Sequence, residues 1–451
     1  MTADKERSDL MTEGSIGRKL LVFCVPLILG NLLQQLYNTA DSVIVGNFVG
    51  SNALAAVGSS GALIYLLIAF SQGVSVGAGV VISHYLGADD SASTRNAVHT
   101  SLAIVAVIGA VLTAAGIALS GALLQLLDTP QEVMADSVTY LQIYFGGILF
   151  NVVYNMAAGI LNAAGNSRRS LLYLAIASLT NIVLDLIFVA LLDMGVAGAA
   201  IATDVSQLLS CVLSLGYLMR VNAPYRVRVC QLRIDGRMAG NIIRIGLPTG
   251  IQNMVISLSN AVVQSSVNAF GADAMAGFGA YMKIDGFNIL PVLSLSLAMT
   301  TYTGQNLGAG KVDRVKKGMW LTLAMGLGYT AATGALLLVF SAPLMRLFTE
   351  NADAVAYGQL AMRYFCPFYF ILGIMHILAG TVRGAGKSIP PMVIMLVSLC
   401  IVRIVWLKLI APLYGTIDGV FIAYPITWAV GMALMVLYAV FGKWLKVSDE
   451  Y

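Results

Sequence analysis

Apolar residues fall along this chain in long blocks, cut at regular intervals by short polar segments. The blocks lie near 18–45, 53–80, 96–120, 136–160, 169–192 and 196–219, and again near 239–268, 274–302, 316–341, 354–379, 388–411 and 416–441. A helix of about 20 apolar residues spans the hydrocarbon core of a bilayer. The pattern therefore predicts an all-α integral membrane protein with twelve transmembrane helices. The second and eighth blocks are the weakest, being rich in Gly and Ser. The first 17 residues are polar and charged, and the run behind them is too long for a signal-peptide core, so it reads as a retained span.

Composition strengthens this reading. Of 451 residues 58% are apolar and 11% charged, with a mean hydropathy of +0.84; a soluble chain carries about 25% charged residues. No Lys/Arg stripe with interleaved aromatics is present, so nucleic acid is not an expected partner. The five cysteines (Cys24, Cys211, Cys230, Cys366, Cys400) show no paired spacing and read as small hydrophobes rather than a disulfide frame or metal site. The three histidines are dispersed and no HExxH occurs, so neither an enzyme nor a cofactor is expected.

The net charge of +4 matters less than its placement. Lys5, Arg7, Arg18 and Lys19 precede the first span, Arg168 and Arg169 separate the fourth and fifth, and Arg220, Arg226, Arg228, Arg233 and Arg237 separate the sixth and seventh. Lys311, Arg314, Lys316, Lys317, Lys387, Lys443 and Lys446 continue the alternation. The intervening loops carry Asp128, Glu132, Asp193 and Asp273 with little Lys or Arg. By the positive-inside rule both termini of this multi-pass protein are expected in the cytoplasm.

The two halves repeat. "GSNALAAVG" (Gly50–Gly58) answers "GADAMAGFG" (Gly271–Gly279), "HYLGA" answers "QNLGA", and "GILNAAGNS" (Gly159–Ser167) answers "GTVRGAGKS" (Gly380–Ser388), all at an offset of 221 positions. A constant offset marks internal duplication. Six spans per repeat give both repeats one orientation, which predicts two pseudo-symmetric six-helix lobes, 1–219 and 239–451, joined by a cytoplasmic linker at 220–238.

Polar residues inside the spans supply the candidate chemistry. Asn31, Gln34, Asn38 and Asp41 share one face of the first span, and Asn181 and Asp185 share a face of the fifth. Thr203 on the sixth falls at similar depth. An acid in a span costs about 2.5–3.5 kcal/mol and marks ion or proton pathways. Two carboxylates close together in a low dielectric cannot both stay charged cheaply, so the pair can exchange a proton; with amide and hydroxyl oxygens beside it, it can instead hold Na⁺. Elsewhere, Gln34, Tyr37, Asn38, Asn155 and Tyr281 are expected to line a substrate cavity. Lys283 and Asp285, two apart on the eighth span, do not share a face and need partners elsewhere, as do Arg363 and Arg403.

The segments "GRKLLVFCVPLILGNLLQQLYNTADSVIVGNFVG", "ILNAAGNSRRSLLYLAIASLTNIVLDLIF", "YTGQNLGAGK" and "VRGAGKS" resemble the multidrug and toxic compound extrusion (MATE) family, over essentially the whole chain. The likeness is greatest to its DinF-like bacterial branch, since the first-lobe acids are present and the seventh span lacks the carboxylate of the NorM-like branch. The resemblance implies a V-shaped, two-lobe antiporter that exports organic, often cationic compounds in exchange for Na⁺ or H⁺. The family's cation site corresponds to Asp41, Asn181, Asp185 and Thr203. A flippase for a lipid-linked precursor is the nearest alternative; it would want a cationic cavity, for which Lys283, Arg383 and Arg403 are the candidates. A major-facilitator carrier is disfavoured because "HYLGADDSASTRN" lacks that family's loop signature. The expected partners are a small organic substrate and the bilayer, with nothing requiring more than a monomer.

Overall fold

The structure, a computed structural model, describes residues 10–445. Lys5, Arg7 and Lys446 of the charge pattern lie outside them. All regular structure among the described residues is helical. The long helices are α1 (Ile16–Phe48), α2 (Ser51–Gly87), α3 (Ser91–Leu126), α4 (Gln131–Ala163), α5 (Ser167–Leu191), α6 (Gly195–Arg220), α7 (Gly236–Asn268), α8 (Ala272–Gly308), α9 (Val312–Val339), α10 (Ala352–Gly384), α11 (Ile389–Tyr414) and α12 (Asp418–Phe441). Eleven are long and apolar enough to cross a membrane. The twelfth is α7, a continuous 33-residue helix whose composition falls short. Thus the glycine-rich second block makes a sound span, with a mean hydropathy of 2.0, and the polar outlier is the seventh.

The chain divides into two compact units, one built on Val25–Gly250 and the other on Thr12–Cys24 with the chain from Ile251 onward. Both divisions fall inside a helix beside a proline, Pro26 in α1 and Pro248 in α7. A helical proline removes one backbone donor and crowds the preceding turn.

In the first unit α4 is central and packs on α2, α3 and α6. Its buried side chains, Leu141, Phe145, Ile148, Val152, Met156 and Ile160, recur every three or four positions as one face. In the second unit α10 holds the corresponding place against α8, α9 and α12, with Ile371, Met375, Leu378 and Val382 buried.

Duplication is written into the contacts as well as the sequence. A Cβ on Gly159 of α4 would stand 3.1 Å from the Ser75 carbonyl of α2; 221 positions on, Gly380 of α10 backs onto the Ser296 carbonyl of α8. Left-handed backbone also repeats at that offset, at Gly50 and Gly271, at Gly165 and Gly386, and at Asp89 and Gly310.

Within the first unit Gly73 and Gly77 of α2 lie backbone to backbone against Gly246 and Gly250 of α7. Each helix thus presents a small-xxx-small pair, which lets axes approach until only backbone atoms separate them. The Arg-rich stretch after α6 is pinned to the start of α3: the Arg228 N–H donates to His99 Nε2 at 3.0 Å, and Thr100 bonds the Arg233 carbonyl and the Asp235 N–H. His99 therefore serves structure. The cysteines are all free; Cys24, Cys211 and Cys366 are buried, Cys400 half-buried and Cys230 exposed.

Candidate functional site

Three helices of the first unit bring Asp41, Asn181, Asp185 and Thr203 together. On α5, Asn181 and Asp185 are one turn apart and almost fully buried, at 1% and 0% exposure. Immediately after Asp185 the helix widens, so that the Leu192 N–H bonds the Ile187 carbonyl five residues back. Such widened turns recur at functional positions in helices. Asp41 of α1 is buried, and its carboxyl lies within hydrogen-bond reach of Asp185. Asn181 Nδ2 donates to Thr203 Oγ1 of α6 at 3.5 Å. Tyr37 of α1 and Tyr140 of α4 stand beside the two carboxyls.

Four oxygens in this cluster are buried without a hydrogen-bond donor: Asp41 Oδ1, Asn181 Oδ1 and both carboxylate oxygens of Asp185. Buried acceptors are normally paired, since an unmade bond costs about 1–3 kcal/mol. A set made only of carboxylate, amide and hydroxyl oxygens, with no soft ligand in it, is chemically suited to a hard cation or a proton.

The expected cavity residues are placed unevenly. Gln34 bonds Tyr37, both half-buried, and Asn38 is exposed. Asn155 bonds Asn151 one turn earlier on α4. Tyr281 lies in the second unit, only 2% exposed, and bonds Asp285 and Tyr369.

The remaining charges of the second unit find separate partners. Lys283 lies over the Phe348 ring at 5.8 Å. Arg363 is exposed. Arg383 donates to Gln252 at 3.3 Å. Arg403 donates to Ser259, Asn260 and Thr427 and lies over Tyr424. The polar residues that make α7 a poor apolar span, Gln252, Ser259 and Asn260, are therefore the acceptors for two buried guanidiniums. Lys283, Arg383 and Arg403 bind three different sets of neighbours.

One membrane acid escaped the sequence reading. Asp204 follows Thr203 on α6, and its carboxylate rests against Gly147 of α4, where any side chain would collide with it. The rule that singled out Asp41, an acid among apolar residues, applies equally to Asp204.

The MatE family model matches this chain twice, over residues 26–187 and 248–407, in register with the duplication. A Bacillus subtilis (strain 168) protein named "Probable multidrug resistance protein YpnP" is 30% identical over 97% of this chain and 98% of its own length. A Shewanella oneidensis protein named "FAD transporter" is 26% identical over 94% of each. Among solved structures, an outward-facing multidrug resistance MATE family transporter of the MOP superfamily superposes with a TM-score of 0.88 at 23% identity, covering 95% of this chain and 96% of that one. With the repeated six-helix pattern, this fold and a double match to the family model, the chain belongs to the MATE family of multi-pass membrane transporters.

Proposed function

We propose that the protein is a secondary active multidrug efflux antiporter, exchanging Na⁺ or H⁺ for organic, often cationic compounds by alternating access. It works as a monomer in a bacterial plasma membrane with both termini in the cytoplasm. The observation that carries the reading is the set of four donorless oxygens on Asp41, Asn181 and Asp185. A cation entering from outside would satisfy them together and tie α1 to α5 and α6. Its departure would return the mutual repulsion of two buried carboxylates, so the packing of the three helices depends on ion occupancy. Each charge entering down the membrane potential supplies about 2.3 kcal/mol per 100 mV. Relatives named as multidrug resistance proteins support organic cargo. A cationic cavity for an anionic lipid precursor gains no support, because Lys283, Arg383 and Arg403 are each engaged locally.

The test is ion-driven efflux from vesicles. Asp41→Asn and Asp185→Asn should each abolish efflux driven by a Na⁺ or pH gradient while the protein stays monodisperse. Wild-type efflux by either variant would remove the coupling role.

A further inference from the structure

Between the start of α3 and the Arg-rich stretch after α6 lies a pocket of about 510 Å³. Arg95, Asn96 and His99 line it from α3, and Cys230, Leu232 and Arg233 from the Arg-rich stretch. Neighbouring side chains hold the backbone of both arginines. His99 Nδ1 bonds the Arg95 carbonyl at 2.7 Å, and Thr100 Oγ1 donates to the Arg233 carbonyl at 3.3 Å. His99 Nε2 accepts the Arg228 N–H, so the ring has no proton left for a ligand.

The two guanidiniums have no such tie. Both side chains are exposed, and neither forms an ion pair among the described residues. Asp235 is close enough to feel the charge of Arg233, but its Oδ1 accepts the Met238 N–H at 3.0 Å. Asp90 is likewise spent on the first turn of α3. From 220 to 237 the chain carries five arginines against the single acid Asp235. Two uncommitted planar forks, one from each segment, match the oxygens of a phosphate group. The surroundings decide between a soluble phosphate and a lipid. Val229, Leu232 and Ile234 alternate with the arginines and stand 61%, 39% and 54% exposed. Outward apolar side chains between arginines suit the boundary of headgroups and acyl chains, where basic clusters beside a span attract anionic lipid.

We propose that this pocket binds the headgroup of an anionic phospholipid from the leaflet on that side of the membrane, with the phosphate held by Arg95 and Arg233. A lipid seated there ties the Arg-rich stretch to α3. The site shares no residue with the ion cluster of α1, α5 and α6, and it does not depend on the export reading.

Cys230, exposed in the pocket wall, gives a native readout. In purified full-length protein in detergent, dioctanoyl phosphatidylglycerol should slow its reaction with a maleimide about fivefold or more. Dioctanoyl phosphatidylcholine should change the rate by less than about twofold. Replacing both arginines, Arg95→Gln with Arg233→Gln, should raise the phosphatidylglycerol concentration needed for protection about tenfold. No protection in the wild type, equal protection by the zwitterionic lipid, or undiminished protection in the double variant overturns the proposal. Protection by glycerol 3-phosphate at the same concentration assigns the pocket to soluble phosphates and overturns the lipid. If the double variant does not fold, native mass spectrometry of the wild type carries the test. One bound phosphatidylglycerol fewer is expected once Cys230 bears a bulky maleimide; equal numbers overturn the site.

Discussion

The guanidinium of Arg403 lies over the ring of Tyr424, 4.4 Å from its centroid, deep in the second unit. No carboxylate pairs with it among the described residues; its nitrogens reach Ser259, Asn260 and Thr427 at 3.1–3.4 Å. The planar fork serves acceptors on α7 and α12 at once, which a lysine ammonium cannot. Arg403→Lys should therefore cost about 2 kcal/mol or more of stability, from lost charged hydrogen bonds and ring contact. Thermal unfolding in detergent measures it; an unchanged midpoint would show that the fork is dispensable.

The α2–α7 crossing has no room for a side chain. Gly73 and Gly77 meet Gly246 and Gly250 through backbone atoms. Gly77→Val and Gly246→Val should each separate the helices and destabilise by about 1–3 kcal/mol from overpacking. The alternative Gly58→Val, where nothing lies within 4 Å of a Cβ, should be tolerated in the same melting assay.

Asn181 and Thr203 are expected to tune the proposed cation site rather than to carry its charge. Asn181→Ala removes a donorless oxygen and the 3.5 Å bond to Thr203. The apparent affinity for the driving ion should fall about tenfold, one lost ligand being worth ~1.4 kcal/mol, with the maximal efflux rate better preserved than in either aspartate variant. An ion titration of efflux separates the two effects.

Outside the membrane, Asp90 caps α3, accepting the Ala92 and Ser93 N–H groups. The Ser93 N–H holds its carboxyl below the usual carboxylate range. A depressed folded value means that the contribution is present above the unfolded value near 4 and is lost as pH falls through the folded one. Amide protection of the first turn of α3 should thus fall selectively in acid. In Asp90→Asn, a neutral cap, that pH dependence should vanish.

The spans and their duplication were legible because lipid imposes long apolar blocks, and because Gly159 and Gly380 need the same close approach to a neighbouring carbonyl. The acids Asp41 and Asp185 were legible because a charge in oil stands out. What the helix pattern could not show was pairing across distant positions. Asp285 found its partner in Tyr369, 84 residues away, and Gln252, Ser259 and Asn260 of α7 became acceptors for Arg383 and Arg403 only through the packing of α7 on distant helices. Asp204 was equally legible as an acid among apolar residues, whereas its close contact with Gly147 of α4, 57 positions earlier, was not.

Efflux of a fluorescent organic cation from proteoliposomes, with Na⁺ and pH gradients imposed separately, tests the coupling role of Asp41 and Asp185 most directly. The wild type should export only when one of those gradients is present, and Asp41→Asn and Asp185→Asn should not respond to either. Gradient-driven export that persists at the wild-type rate in both variants would contradict the account.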